Sequence, residues 1–265
     1  MAAPSPAPDA PQVRVARRES GAVWLTIERA ARHNALARPV LAAVADAVRA
    51  AAADPATRYL VLTGAGDKYF AAGGDLRELD AVRDAAAVAA MLDECEAALG
   101  ALRHCPVPVI ALLNGDAIGG GAELALACDL RLQAAHARIG YIHARLAITS
   151  AWGGGPDLFR VVGPARALRM MARAELVDAA QAVAWGLADA SYADGPDGAT
   201  VAGFLRPLDT CVPHVLRAFK AQAIAARGGA SWAEQRAVER THLQHAWLHE
   251  AHWAAAGKIL RKEPS

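Results

Sequence analysis

A run of glycines followed by an acid is the segment of this sequence best suited to chemistry. Gly119, Gly120 and Gly121 follow an apolar strand, and Glu123 stands in the first turn of an apolar helix. Glycine lets backbone N–H groups approach a ligand, and the start of a helix leaves such groups unpaired beside a partial positive charge. An oxyanion would be stabilised there, with Glu123 close enough to move a proton. A tight turn with an acid at a helix N-terminus would explain the same residues without any chemistry.

Two further segments carry candidate functional residues. The sequence Phe70-Ala-Ala-Gly-Gly-Asp75 forms a second glycine-containing loop, which follows a short buried strand. The segment 139–155 contains His143 and ends in another three glycines. Histidine changes its charge near neutral pH, so His143 is either a titrating group or a packed side chain with a hydrogen-bonded ring.

The elements that must position these residues follow from the spacing of apolar side chains. Alternation predicts a hairpin over 13–27, and helical spacing predicts a helix through Leu41, Val44 and Val48. Strands are predicted at 59–63, 107–113 and 130–133, with an alanine-rich helix over about 85–102 between the first two. Strands alternating with helices indicate an α/β fold.

After about residue 200, helical patterns replace the alternation of predicted strands and helices. One predicted helix ends at Gly228-Gly229, and a second runs from the N-cap residue Ser231 towards Lys258. We therefore divide the chain into a tail at 1–11, a core at 12–200 and a helical region at 201–265. The prolines of residues 1–11 predict a disordered tail.

Composition excludes several classes of protein. The 265 residues are 54% hydrophobic with a net charge of +1, and the charges are interspersed, so a nucleic-acid partner is not expected. The four widely spaced cysteines favour reduced thiols in a cytoplasmic protein over a zinc or disulfide framework. No apolar run is long enough to span a membrane, and the N-terminus does not resemble a signal peptide. No metal site is expected.

The two glycine-containing loops, in this order, resemble the enoyl-CoA hydratase/isomerase (crotonase) superfamily. The segments Arg32-His-Asn-Ala-Leu36 and 179–187 resemble further parts of that family, and the resemblance extends over about residues 12–262. It implies an α/β fold, a crotonase-like spiral of ββα units with a C-terminal helical trimerisation region. It also implies a homotrimer or a hexamer built as a dimer of trimers.

The resemblance also implies roles for individual residues. The N–H groups of Gly74 and Gly120 would form an oxyanion hole for the carbonyl oxygen of an acyl-CoA thioester, with coenzyme A entering as part of the substrate and no other cofactor. Glu123 matches the first catalytic glutamate, and His143 stands where hydratases have a second one. The substrate-binding residues would be Ala72, Asp75, Tyr141 and Trp152, although Asp75 could instead brace its loop.

Several activities fit these residues. We expect an enoyl-CoA hydratase of the kind used in fatty acid metabolism, or else a double-bond isomerase, with Glu123 as acid and base. Because His143 replaces an acid, a decarboxylase or a C–C hydrolase of the same fold is an alternative. A non-catalytic subunit that binds acyl-CoA is another.

Overall fold

A computed structural model describes residues 12–260 of the chain. The predicted disordered tail at 1–11 lies outside these residues. The strands are β1 (Val13–Arg17), β2 (Ala22–Ile27), β3 (Tyr59–Gly64), β4 (Tyr69–Ala71), β5 (Val109–Leu113), β6 (Asp116–Ile118), β7 (Leu130–Ala134), β8 (Arg138–Gly140), β9 (Leu176–Asp178) and β10 (Ala190–Tyr192). The helices are α1 (Arg38–Ala53), α2 (Leu76–Leu79), α3 (Ala85–Arg103), α4 (Gly120–Ala127), α5 (Gly154–Ala172), α6 (Ala179–Trp185), α7 (Ala199–Thr210), α8 (Pro213–Arg227), α9 (Trp232–Leu248) and α10 (Glu250–Leu260).

The strands form two sheets. The larger has the order β1-β2-β3-β5-β7-β10, and the smaller has the order β4-β6-β8-β9. The pairs β1–β2 and β8–β9 are antiparallel, while the other pairs are parallel. The predicted hairpin is confirmed, with Val13 opposite Ile27 and Arg17 opposite Val23. The α/β class predicted from the alternation of elements is also confirmed.

The smaller sheet was not predicted from local pattern, for a simple reason. Each of its four strands has only three residues, which is too short for an alternating pattern to be recognised. These strands pair with segments far away in the chain, as when Ala117 lies opposite Ile139. The sheet matters for function because both glycine loops and the His143 segment follow its strands.

The predicted boundary after residue 200 falls inside α7. Val201 and Leu205 of this helix are buried against the larger sheet, beside Tyr59, Val61 and Ile110. This packing makes the first helix of the predicted tail region part of the core. The other face of the larger sheet is covered mainly by α1, α3 and α4, whose apolar side chains form the main core.

The helical tail differs from its prediction in one respect. Ser231 does cap α9, in a reciprocal capping box with Glu234. A single helix running on to Lys258 was wrong, because His249 adopts an extended conformation (ψ 139°) and separates α9 from α10. The His249 ring accepts a hydrogen bond from the backbone N–H of Ala251 at 3.1 Å, so it caps the new helix.

Lys220 on α8 is buried. Its Nζ lies 2.6 Å from both carboxylate oxygens of Asp129, and its exposed fraction is 2%. Arg227 donates to the same carboxylate at 3.1 Å, and the backbone N–H of Val109 donates to it at 2.8 Å. This ion pair ties the helical tail to the residue where the α4 segment turns into β7.

Replacing Lys220 with methionine is expected to lower the free energy of unfolding by about 3 kcal/mol, because it leaves the partly buried carboxylate of Asp129 without its main partner. Because Arg227 still contacts Asp129 in this variant, we expect a loss of stability at the lower end of the range for broken buried ion pairs. Urea unfolding followed by circular dichroism measures the effect. The exposed Lys68→Met change is the control, and equal midpoints for both variants would contradict this role.

In residues 12–260, none of the helices combines the length and the apolar character that crossing a bilayer requires.

Candidate active site

The helix α4 presents Glu123 to the interior. Every residue of α4 is buried, and Glu123 is 1% exposed. The helix begins after Gly119, whose φ of 56° favours glycine, at the end of strand β6. A buried carboxylate must be hydrogen-bonded or paired, so its partners define the site.

The two oxygens of Glu123 have different partners. Oε2 accepts hydrogen bonds from the backbone N–H groups of Trp152, at 2.9 Å, and Gly154, at 3.0 Å. Gly154 is the first residue of α5, so the carboxylate lies at the positive N-terminal end of that helix. Oε1 lies 3.1 Å from Nε2 of His143. One oxygen is therefore held by the protein backbone, and the other faces a titratable ring.

The loop that holds Oε2 is itself fixed by two side chains. Arg103 donates to the carbonyl of Trp152 at 2.9 Å, and the hydroxyl of Tyr141 donates to the carbonyl of Gly154 at 2.8 Å. Arg103 also pairs with the buried Asp157 at 2.8 Å. Trp152 and Gly154, whose N–H groups donate to Glu123, thus each have their own carbonyl held by another side chain. This arrangement holds the carboxylate in one position.

Tyr141 keeps its proton in this arrangement. Burial, followed by the charges of Glu123 and Asp157, raises the pKa of Tyr141 well above its ordinary value. The hydroxyl is fully buried and already engaged with Gly154. The hydroxyl of Tyr141 therefore supports the loop, and contact between this residue and a substrate stays a prediction.

His143 lies in a short 3-10 helix, His143–Leu146, which follows strand β8. Its side chain is 14% exposed. An ionised carboxylate can only accept, so a hydrogen bond between the two groups would need the hydrogen on Nε2. Among the residues that the structure describes, the buried Nδ1 has no hydrogen-bond partner. The histidine and the glutamate form a dyad with one ring nitrogen left for another group.

The two glycine loops meet beside this dyad. Gly73 has a φ of 94°, and a Cβ placed on it would lie 3.1 Å from the carbonyl oxygen of Ile118 and 3.5 Å from the N of Gly120. The first loop is held in place by segment 33–36, where Leu36 N–H donates to the Gly73 carbonyl at 2.8 Å. Among the described loop and cap hydrogen bonds, neither Gly74 N–H nor Gly120 N–H donates to a backbone carbonyl. The structure thus brings the loop that carries Gly73 and Gly74 next to Gly120.

Trp152 lies against both loops. A Cβ on Gly120 would lie 2.3 Å from Cζ3 of the indole, and one on Gly74 would lie 3.5 Å from Cη2. The whole residue is 7% exposed. Its ring therefore packs against both glycine loops, while its backbone N–H holds Glu123.

The other predicted substrate-binding residues have structural partners. The Asp75 carboxylate accepts from Arg29 at 3.0 Å and caps α2 through Arg77 N–H, which agrees with the bracing alternative. Ala72 donates its N–H to the His33 carbonyl at 3.1 Å. Both residues hold the first loop in place, and their contact with a substrate stays a prediction.

One residue of the site was not predicted from the sequence, and one nearby thiol can be excluded as a nucleophile. Arg103 was not predicted to belong to the site, because a basic residue in the last turn of a helix is common and gives no indication of a functional site.

Cys128 lies at the end of α4, but burial raises its thiol pKa to about 12, so no thiolate is available for chemistry at neutral pH.

Comparison with known proteins agrees with this architecture. The family model described as enoyl-CoA hydratase/isomerase matches residues 17–255. A crotonyl-CoA hydratase of Syntrophomonas wolfei is 36% identical over 175 residues, which cover 65% of this chain and 66% of the relative. An ethylmalonyl-CoA decarboxylase of Gallus gallus is 33% identical over 138 residues, covering 52% of this chain and 46% of the relative. The matched region is thus about half to two thirds of the length of these curated relatives.

A solved structure extends the likeness to the whole fold. The enoyl-CoA hydratase of Bacillus anthracis superposes with a TM-score of 0.87 at 25% identity, covering 95% of this chain and 97% of that one. The chain belongs to the enoyl-CoA hydratase/isomerase family, and its fold is the crotonase fold.

Proposed function

We propose that this protein is an enoyl-CoA hydratase, in which the Glu123–His143 dyad adds water across the double bond of a 2-enoyl-CoA. The contact of 3.1 Å between Glu123 Oε1 and His143 Nε2 carries the proposal. It places two groups that can exchange protons beside the meeting point of the two glycine loops. The relatives named as hydratases support the same reaction.

The N–H groups of Gly74 and Gly120 would bind the thioester oxygen. As water adds to the β-carbon, negative charge moves onto that oxygen, and two fixed donors stabilise it without rearrangement. Losing one donor of this kind typically costs about 10²–10³ in rate. The partial positive charge at the start of α4 adds to the effect of Gly120.

The dyad would handle the proton. His143 would accept a proton from the attacking water, while Glu123 stabilises the positive ring. The water oxygen bonds to the β-carbon, and the enolate then takes a proton at the α-carbon from the dyad. One water is consumed and no proton is gained or lost overall. Arg103 and Tyr141 would keep the carboxylate oriented throughout.

A decarboxylase is the second candidate, favoured by His143 itself. A malonyl-type thioester carries a carboxylate on its α-carbon, which a second glutamate would repel and a histidine would not. Loss of CO₂ would leave the same enolate between Gly74 and Gly120, and the dyad would protonate it. A relative named as ethylmalonyl-CoA decarboxylase adds support.

Assembly into a homotrimer, or a dimer of trimers, stays a prediction. The apolar side chains exposed on the helical tail agree with it, because isolated chains rarely expose so many close together. They include Phe219, Trp232, Leu243, Trp247, Leu248 and Trp253, between 52% and 81% exposed.

An activity assay with crotonyl-CoA distinguishes the candidate functions. We expect the purified protein to remove the absorbance of the conjugated enoyl thioester and to form a 3-hydroxyacyl-CoA, identified by mass. A malonyl-type thioester is assayed in parallel for CO₂ release. If the protein were inert with crotonyl-CoA and released CO₂ from the second substrate, the decarboxylase would replace the hydratase. Turnover of a 3-enoyl-CoA alone would indicate an isomerase.

A further inference from the structure

We infer that Trp152 limits this enzyme to short acyl chains. The inference rests on the proposed function, because it takes the thioester oxygen to lie between Gly74 and Gly120. It goes further by naming the side chain that selects the substrate. The observation behind it is that one residue anchors the reactive carboxylate through its backbone and fills the adjacent space with its ring.

The position of the indole follows from its contacts. Its six-membered ring lies against Gly120, where even a methyl group would come within 2.3 Å of Cζ3, and it reaches Gly74 as well. With the thioester oxygen at the two glycines, the α- and β-carbons would face Glu123. The carbons beyond them would then meet the indole. A chain of about four carbons would end near the ring, and a longer one would collide with it.

The backbone that carries the ring is fixed in place. The Trp152 N–H donates to Glu123, and its carbonyl accepts from Arg103, so the main chain is fixed on both sides. The neighbouring Gly153 packs closely against the same guanidinium, since a Cβ on this glycine would lie 2.8 Å from Arg103 Nη2. Arg103 is fixed in turn by the buried Asp157. A movement of this backbone would disturb Glu123, so a long chain could not displace it without cost to the reactive group.

The test compares the binding of two saturated acyl-CoAs that undergo no reaction in the proposed chemistry. Isothermal titration gives the Kd of butanoyl-CoA and of decanoyl-CoA for the wild type, Trp152→Ala and Trp152→Phe. We expect the wild type to bind butanoyl-CoA at least tenfold more tightly, Trp152→Ala to reverse the preference, and Trp152→Phe to lie between them. Trp185→Ala, which removes an indole elsewhere in the fold, should keep the wild-type ratio.

Two readouts keep the inference separate from the proposed reaction. If the ratio of Kd values were the same in the wild type and in Trp152→Phe and Trp152→Ala, the inference would be wrong, whatever the turnover of crotonyl-CoA. If the ratio shifts as expected while crotonyl-CoA is not hydrated, the size limit holds and the hydratase proposal fails. Thermal unfolding shows which variants are folded, and Trp152→Phe supplies the answer if Trp152→Ala does not fold.

Discussion

Replacing Glu123 with glutamine should lower kcat for crotonyl-CoA hydration about 10³-fold and leave the fold intact. Glutamine keeps an oxygen that can accept from Trp152 N–H and Gly154 N–H, and its amide can face His143. It cannot take up a proton or stabilise a positive imidazole ring. The loss therefore falls on kcat, whereas the Kd of butanoyl-CoA should change less than threefold. Stopped-flow absorbance and titration measure the two quantities.

The control for this change is Glu96→Gln, which makes the same substitution at an exposed position on α3. It should behave as the wild type in both measurements. Unchanged turnover in Glu123→Gln would remove the dyad from the mechanism. A loss of butanoyl-CoA binding equal to the loss of turnover would instead assign Glu123 a structural role.

Replacing His143 with glutamine is expected to lower kcat about 10²-fold, since the amide can still donate to Glu123 but cannot carry a proton between the reacting atoms. The informative companion is His143→Glu, which places a second carboxylate next to Oε1 of Glu123. Two carboxylates this close share one proton, so the pair could still shuttle it. We expect His143→Glu to retain more activity than His143→Gln.

The exposed His104→Gln variant serves as the matched control. If His143→Gln were as active as the wild type, His143 would be a packing residue and Glu123 would act alone. If His143→Glu still hydrated crotonyl-CoA but lost the CO₂ release that the wild type shows with a malonyl-type thioester, the decarboxylase would gain support. The repulsion of a substrate carboxylate by the new glutamate explains that pattern.

The local elements of this protein follow from its sequence alone. Alternating side chains at Val13–Ile27 predicted the hairpin, the apolar spacing of α1 predicted that helix, and alanine-rich composition predicted α3, because each signal is complete within one element. The glycine loops and Glu123 could also be identified, since glycine runs beside a helix start have a local chemical meaning. The resemblance to a family then supplied the pairing of Gly74 with Gly120.

Only the tertiary structure decided how the site is held together. The Glu123–His143 contact joins residues 20 positions apart, and Arg103 reaches Trp152 across 49. Lys220 contacts Asp129 across 91 positions. Such pairs depend on the packing of segments that share no periodic pattern. The pairing of the three-residue strands β6 and β8 brings the Glu123 and His143 segments together. That pairing is a property of the whole fold rather than of any one stretch of sequence.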